Sequence, residues 1–161
     1  SNNLFEDIDG KWGENYGRLF IINDQTDAVT IEHNTAFNSA ACTFSVAAPN
    51  TNFVFRNNLV QNDAAGGVNY GDSTINKFFP AGVWLKNVQP GADSSLYNAH
   101  RNNYFPVSLK AVGFLDLKGG NYRLAPTSRY KNAATDGRDI GCDFDLLGAA
   151  VGWSGERLAA N

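Results

Sequence analysis

The sequence predicts an all-β fold, a parallel β-solenoid of about three coils, on three observations. Asparagines recur at steps typical of solenoids, since Asn34 follows Asn3 by 31 residues and Asn58 follows Asn34 by 24. Segments 29–31 and 53–55 precede two of these asparagines and alternate apolar with other residues, as a strand buried on one face does. No stretch of helical periodicity separates these strands. Each coil should therefore hold two or three short strands joined by turns.

Composition bounds the class of protein. The 161 residues are 43% hydrophobic and 18% charged, which is enough apolar surface for one folded core. No apolar run reaches the length of a membrane span, so we expect no membrane partner. The net charge is -3 and no basic block is present, so we expect no nucleic-acid partner.

The inventory also suggests how the chain is organised. It contains no methionine, which predicts a processed product or a piece of a longer protein whose upstream coils would be a partner. We expect residues 1–147 to form a single domain and residues 148–161 to form a tail. The segment 71–95 is rich in turn residues, and we expect it to be a long loop or an irregular coil in which Asn87 or Asn98 is a corner. A strand, a turn and a second strand are predicted between 114 and 124.

The doubled asparagines predict the corners of the coils. Asparagine tolerates the left-handed conformation that a sharp corner needs, and its amide can hydrogen-bond to the equivalent amide one coil away. We therefore predict a ladder of Asn3, Asn34, Asn58 and Asn103.

The alternation of the strands predicts which side chains point outward. Ile31 and Phe55 should point into the core, which leaves Glu32 outside and one coil from Arg56. An exposed ion pair of this kind is worth only about 0.2–1 kcal/mol.

Five segments carry a resemblance to a known family: Asn2–Ile8, Val29–Thr35, Phe53–Asn58, Asn121–Ser128 and Asp136–Gly141. They resemble the C-terminal part of bacterial right-handed parallel β-helix repeat proteins of the broad pectate-lyase-like group. The resemblance implies a right-handed parallel β-helix, a secreted bacterial protein and polysaccharide as a partner. It is more specific for the fold than for an activity, because one solenoid serves many functions.

A polysaccharide lyase needs a base, a cation or proton donor that neutralises a carboxylate, and a groove. The candidate catalytic residues are Glu32, His33, Arg56 and Arg101, at equivalent places on successive coils. The alternative is that these residues only stabilise the stack, and that His33 fills the corner position held elsewhere by asparagine.

No cofactor is predicted. Calcium at Asp136, Asp139, Asp143 and Asp145 is the alternative to a purely structural role of these aspartates in turns. The repeat strands carry no aspartate cluster, which argues against a calcium-assisted lyase.

Exposed aromatic rings could stack on the apolar faces of pyranose rings. The candidate substrate-binding residues are Trp12, Tyr16, Phe78, Phe79 and Trp84. The alternative is that these rings pin the coil edge and the long loop. For Cys42 and Cys142, buried free thiols are favoured over a bridge.

Together these observations predict the C-terminal β-helix region of a secreted protein that binds or processes polysaccharide and is not a complete catalyst alone. Two alternatives stay open. One is a lyase or hydrolase that acts on acidic glycans, and the other is a structural or adhesive solenoid without sugar chemistry.

Overall fold

The computed structural model describes residues 1–12, 16–23 and 25–151. This part of the chain is mostly β, with few helices. Its strands are β1 (Leu4–Ile8), β2 (Phe20–Ile21), β3 (Thr30–Glu32), β4 (Thr35–Asn38), β5 (Thr43–Phe44), β6 (Val54–Arg56), β7 (Leu59–Val60), β8 (Ala65–Gly66), β9 (Val83–Leu85), β10 (Phe114–Asp116) and β11 (Asn121–Leu124). Its helices are α1 (Asp72–Phe78), α2 (Phe144–Val151) and the short 3-10 turns Gly10–Trp12, Ser94–Leu96 and Leu109–Val112.

Nine of the strands form three parallel sheets in a repeating order. The sheets are β1-β4-β7, β2-β5-β8 and β3-β6-β9, so that each of three successive repeats adds one strand to every sheet. Single bridges extend the first sheet from Leu59 to Val88 and from Val88 to Tyr104. Strands β10 and β11 form an antiparallel hairpin, as the sequence predicts.

The predicted alternation is confirmed in the third sheet. Ile31, Phe55 and Trp84 lie opposite one another on adjacent strands and all three are buried. The rings of Phe55 and Trp84 stack with their centroids 4.9 Å apart, and Phe53 lies 4.4 Å from Phe79 by the same measure. The core is therefore built from inward rows of large side chains that run from repeat to repeat.

The asparagine ladder is present and has five members: Asn3, Asn34, Asn58, Asn87 and Asn103. Each of the first four donates its backbone N–H and its side-chain Nδ2 to Oδ1 of the next member, at 2.9 to 3.1 Å. The predicted Asn103 belongs to it. Of the two alternatives for the segment 71–95, Asn87 is the one that joins the ladder, whereas Asn98 donates locally to the Ser95 carbonyl.

Left-handed backbone occurs one position before the ladder. Asn2, His33, Asn57 and Lys86 have φ between 51° and 60°. In each such pair of residues, the first adopts the left-handed conformation that turns the chain, and the second is an asparagine of the ladder. We call these four residues the corner column.

The expectation of a loop over 71–95 is wrong in part. This segment contains α1 and also β9, which continues the third sheet. Phe78, Phe79 and Trp84, expected to be exposed, are 2%, 0% and 4% exposed because they fill the core between α1, β6 and β9.

Three residues of the corner column, Asn2, His33 and Asn57, bind a C-terminal segment that we call the strap (residues 135–143). Asn57 Nδ2 donates to Thr135 Oγ1, and Asn57 Oδ1 accepts from the Thr135 backbone N–H. The Asn57 carbonyl accepts from the backbone N–H of Gly141 at 2.9 Å. Further along, Asn2 Oδ1 accepts from the backbone N–H of Asp143 at 2.6 Å. The strap therefore runs back from the third repeat to the first.

The strap leads directly into α2. Asp143 Oδ1 accepts from the backbone N–H groups of Asp145 and Leu146 and so caps this helix. The helix crosses the expected boundary between residues 147 and 148, and residues 152–161 of the expected tail lie outside the described residues. Over the described ranges, neither helix has the length and apolarity that a bilayer span requires.

Candidate functional site

The predicted ion pair between Glu32 and Arg56 is present. Arg56 Nε donates to Glu32 Oε2 at 2.8 Å across β3 and β6, and both side chains are partly exposed. Water and salt screen such a pair, so it contributes little to stability. It also occupies the Glu32 carboxylate, which is one of the four candidate catalytic groups.

The other two catalytic candidates do not join this pair. In the next strand of the sheet, the residue in register with Arg56 is Leu85, and Arg101 bonds locally to the carbonyl and side chain of Asn98. His33 points away from the sheet toward the strap. The four candidates are therefore not brought together: His33 has a left-handed φ and bonds to Asp136, and Arg101 bonds to Asn98.

His33 is a buried junction between the repeats and the strap. Its Nε2 lies 3.1 Å from Asp136 Oδ2 and its Nδ1 lies 3.3 Å from the Gly141 carbonyl oxygen. Nε2 also lies 3.2 Å from Asn57 Nδ2, so the ring contacts both the strap and the next residue of the corner column. This agrees with a corner role for His33 and adds a contact that the sequence did not suggest.

Asp136, which faces His33, also bonds to Arg138. Partial burial of Asp136 opposes ionisation, but it is outweighed by hydrogen bonds from the Arg138 side chain and backbone N–H and by the charges of His33 and Arg138. Together these hold the pKa of Asp136 below its usual value. The carboxylate is thus ionised at neutral pH and holds the strap by charge-assisted bonds.

Of the predicted sugar-stacking rings, Tyr16 is 69% exposed and available to a ligand. Phe78, Phe79 and Trp84 are buried in the core, so no sugar could stack on them in this structure. The side chain of Trp12 lies outside the described residues.

A different set of apolar side chains forms an exposed row across the second sheet. Ile21 and Phe44 lie in register on β2 and β5, and the next residue in the row is Gly66 on β8. A Cβ on Gly66 would collide with Ala41 and come within 3.2 Å of the Tyr70 ring. Tyr70, 49% exposed, therefore occupies the third place of the row beside the glycine.

Arg18 lies over this row. Its guanidinium carbon is 3.7 Å from the centroid of the Phe44 ring and 5.2 Å from that of Tyr16. Such a cation–π contact fixes a flexible side chain while leaving N–H donors at the surface. We call Tyr16, Arg18, Ile21, Phe44 and Tyr70 the aromatic face.

A concave site lies elsewhere, between the β10–β11 hairpin and the strap. It is a cleft of about 480 Å³. Its lining combines apolar side chains with three cations, and each of these cations is paired with a carboxylate.

The acidic cluster of the ending is engaged in bonds within the protein. Asp139 accepts from Lys131 Nζ and from the backbone N–H of Asn132, and Asp145 accepts from Arg123. Within the described ranges, no group of three or more His, Cys, Asp or Glu side chains is placed to hold a metal ion. The aspartates stabilise turns, a helix start and ion pairs here.

Both cysteines are buried free thiols, as predicted. Burial raises the pKa of the Cys42 thiol, and burial raises the pKa of Cys142 to about 12. Because the thiolate is the reactive form, neither side chain can act as a nucleophile at neutral pH.

No family model, no curated protein and no solved structure matches this chain. The geometry of the aromatic face and of the cleft is therefore the basis for any function. Sequence reasoning missed Arg18, Phe44 and Tyr70. Gly66 could have indicated the position of Tyr70, because a glycine inside a strand often marks the close approach of another group. In the structure that group is the Tyr70 ring.

Proposed function

We propose that the three repeats are coils of a right-handed parallel β-helix, part of a secreted protein, that binds polysaccharide through the aromatic face. The observation that supports this proposal most strongly is that the Arg18 guanidinium stacks on Phe44, with its carbon 3.7 Å from the ring centroid. The exposed rings of Tyr16 and Tyr70 lie on the same face. In this proposal the chain binds sugar without being a complete catalyst.

The chemistry of the aromatic face suits a sugar polymer. Pyranose rings present C–H faces that pack on aromatic and aliphatic side chains, and their hydroxyls accept from guanidinium N–H groups. Adjacent strands lie about 4.8 Å apart, so the row from Ile21 through Phe44 to Tyr70 extends over roughly 10 Å. A linear glycan can lie along such a row and contact more than one ring.

The placement of charges supports binding rather than cleavage. Arg18 has no carboxylate within ion-pairing distance among the described residues, and its guanidinium stacks on the Phe44 ring. Glu32 is the carboxylate among the catalytic candidates. It lies on the third sheet, whereas the aromatic face lies on the second, and it already accepts from Arg56. A cleavage reaction needs an acid and a base at one bond.

Affinity electrophoresis against a panel of soluble polysaccharides tests the proposal. We expect the unmodified chain to be retarded by at least one neutral or acidic glycan. Tyr70→Ala should weaken that binding roughly five-fold, because one aromatic contact is worth about 1 kcal/mol. Arg18→Ala should weaken it by a similar factor.

Val107→Ala and Arg101→Ala are the matched controls, since Val107 is 89% exposed, Arg101 bonds to Asn98, and neither residue belongs to the aromatic face. Retardation that is equal in all variants would refute the assignment of this face. Release of reducing ends or of unsaturated products by the chain alone would refute the statement that it is not a complete catalyst.

A further inference from the structure

We propose that the cleft between the β10–β11 hairpin and the strap binds a neutral polyhydroxylated ligand, such as a single uncharged sugar residue. Its volume of about 480 Å³ falls in the range of roughly 300–1,000 Å³ typical of small-molecule sites. The cleft is separate from the aromatic face, and the inference does not depend on polysaccharide binding there.

Each of the three cations in the cleft is paired with a carboxylate, and a fourth carboxylate, Asp143, accepts from backbone N–H groups of α2. The pairs are Arg123 with Asp145 at 2.8 Å, Lys131 with Asp139 at 3.0 Å, and Arg138 with Asp136 at 2.7 Å. An anionic ligand would have to compete with a carboxylate for each cation, and a cationic ligand would have to compete with a cation, or at Asp143 with backbone N–H groups, for each carboxylate. Such pairing selects against ions and favours a ligand without net charge.

Each pair still offers hydrogen-bonding groups. A guanidinium has five N–H donors, and Arg123 uses its Nε and Nη2 groups for Asp145. Arg138 likewise uses Nε and Nη2 for Asp136. A hydroxyl both donates and accepts, so one sugar hydroxyl can bridge a remaining guanidinium N–H and a carboxylate oxygen of the same pair.

The cleft also has apolar walls for the C–H face of a sugar ring. Leu115 is 51% exposed at the rim, whereas Tyr122, Ile140 and Phe144 are almost fully buried beneath it. The buried side chains fix the shape of the cleft and the exposed one supplies contact area. A few polar groups over an apolar floor are the usual composition of a preformed ligand site.

The test is a titration of the ¹⁵N-labelled chain followed by NMR, with glucose, galactose and mannose and their three uronic acids as probes. We expect at least one neutral sugar to shift the amide signals of Gly137 and Arg138 in a saturable way at millimolar concentrations. Its uronic acid should bind more weakly. If none of the neutral sugars shifts these signals, or if uronic acids bind more tightly, the inference is wrong.

A charge-altering variant tests the reason for the selectivity. Asp145 is 86% exposed, so Asp145→Asn should fold normally and keep an oxygen that accepts from Arg123. Removal of this charge leaves Arg123 without a counter-ion and should raise the affinity for the uronic acid by about five-fold.

Asp116→Asn is the matched control, because Asp116 lies on the same hairpin, outside the residues that line the cleft, and bonds to the Gly119 backbone. An unchanged preference in Asp145→Asn, or an equal change in Asp116→Asn, would overturn the charge-pairing argument. Tyr70→Ala should leave the cleft titration unchanged, so failure of this site and failure of the aromatic face are distinguished.

Discussion

Asn58 is the ladder position whose loss should cost most. Its side chain is fully buried, and its Oδ1 accepts from both the backbone N–H and Nδ2 of Asn34 at 3.0 Å. Its own Nδ2 donates to Asn87 Oδ1 at 3.1 Å. Asn58→Ala leaves two buried donors of Asn34 without that acceptor. A buried group left unsatisfied costs about 1–3 kcal/mol, so we expect the free energy of unfolding to fall by about 3 kcal/mol.

Asn3→Ala is the comparison, because it removes an asparagine at the exposed end of the same ladder. The Asn3 backbone N–H still donates to Asn34 Oδ1 after the substitution, so no buried group loses its last partner. We expect a loss below about 1 kcal/mol. Urea unfolding followed by circular dichroism measures both. If the two variants differ by less than about 0.5 kcal/mol, the reasoning that the ladder is a buried cooperative element is refuted.

Three further predictions concern pH, thiol reactivity and the strap. Because the pKa of Asp136 is lowered in the folded protein, its contribution to stability is present above the pKa of the unfolded chain, about 3.9, and is lost as pH falls. Asp136→Asn should therefore flatten the acid limb of a plot of stability against pH, and an unchanged limb would contradict this. Cys42 and Cys142 should resist a thiol-specific reagent at pH 8 in the folded protein and react after urea unfolding, whereas fast labelling of the folded chain would disprove their burial. Gly141→Ala should destabilise the chain by about 1–3 kcal/mol in urea, because Gly141 has φ +98° and a Cβ would come within 2.6 Å of Thr35 Oγ1; a neutral result would show that the strap can shift.

The parts of the fold that were predictable from the sequence are local and repetitive. The alternation before Asn34 and Asn58 marks strands β3 and β6, and the doubled asparagines mark the corners. The segment Val83–Asn87 has the same form, with apolar residues before a corner lysine and a ladder asparagine, so β9 was open to the same argument. It was missed because the aromatic residues around it suggested an exposed loop.

The strap and the cleft could not be predicted in this way. His33 meets Asp136 across 103 residues, and Asn57 meets Thr135 across 78. Contacts of this range leave no period in the sequence, because only one copy of the strap exists. The error for Arg101 has another cause: β9 was missed, and its Leu85 is the residue in register with Arg56.

The ladder also determines how freely the chain between its asparagines can change. The five members are separated by 31, 24, 29 and 16 residues, yet the hydrogen bonds between them are alike. Closing a loop twice as long costs only about 0.6 kcal/mol more. Insertions in exposed loops between ladder positions are therefore inexpensive, whereas α1 is constrained because its Ile75 and Phe78 are buried in the core.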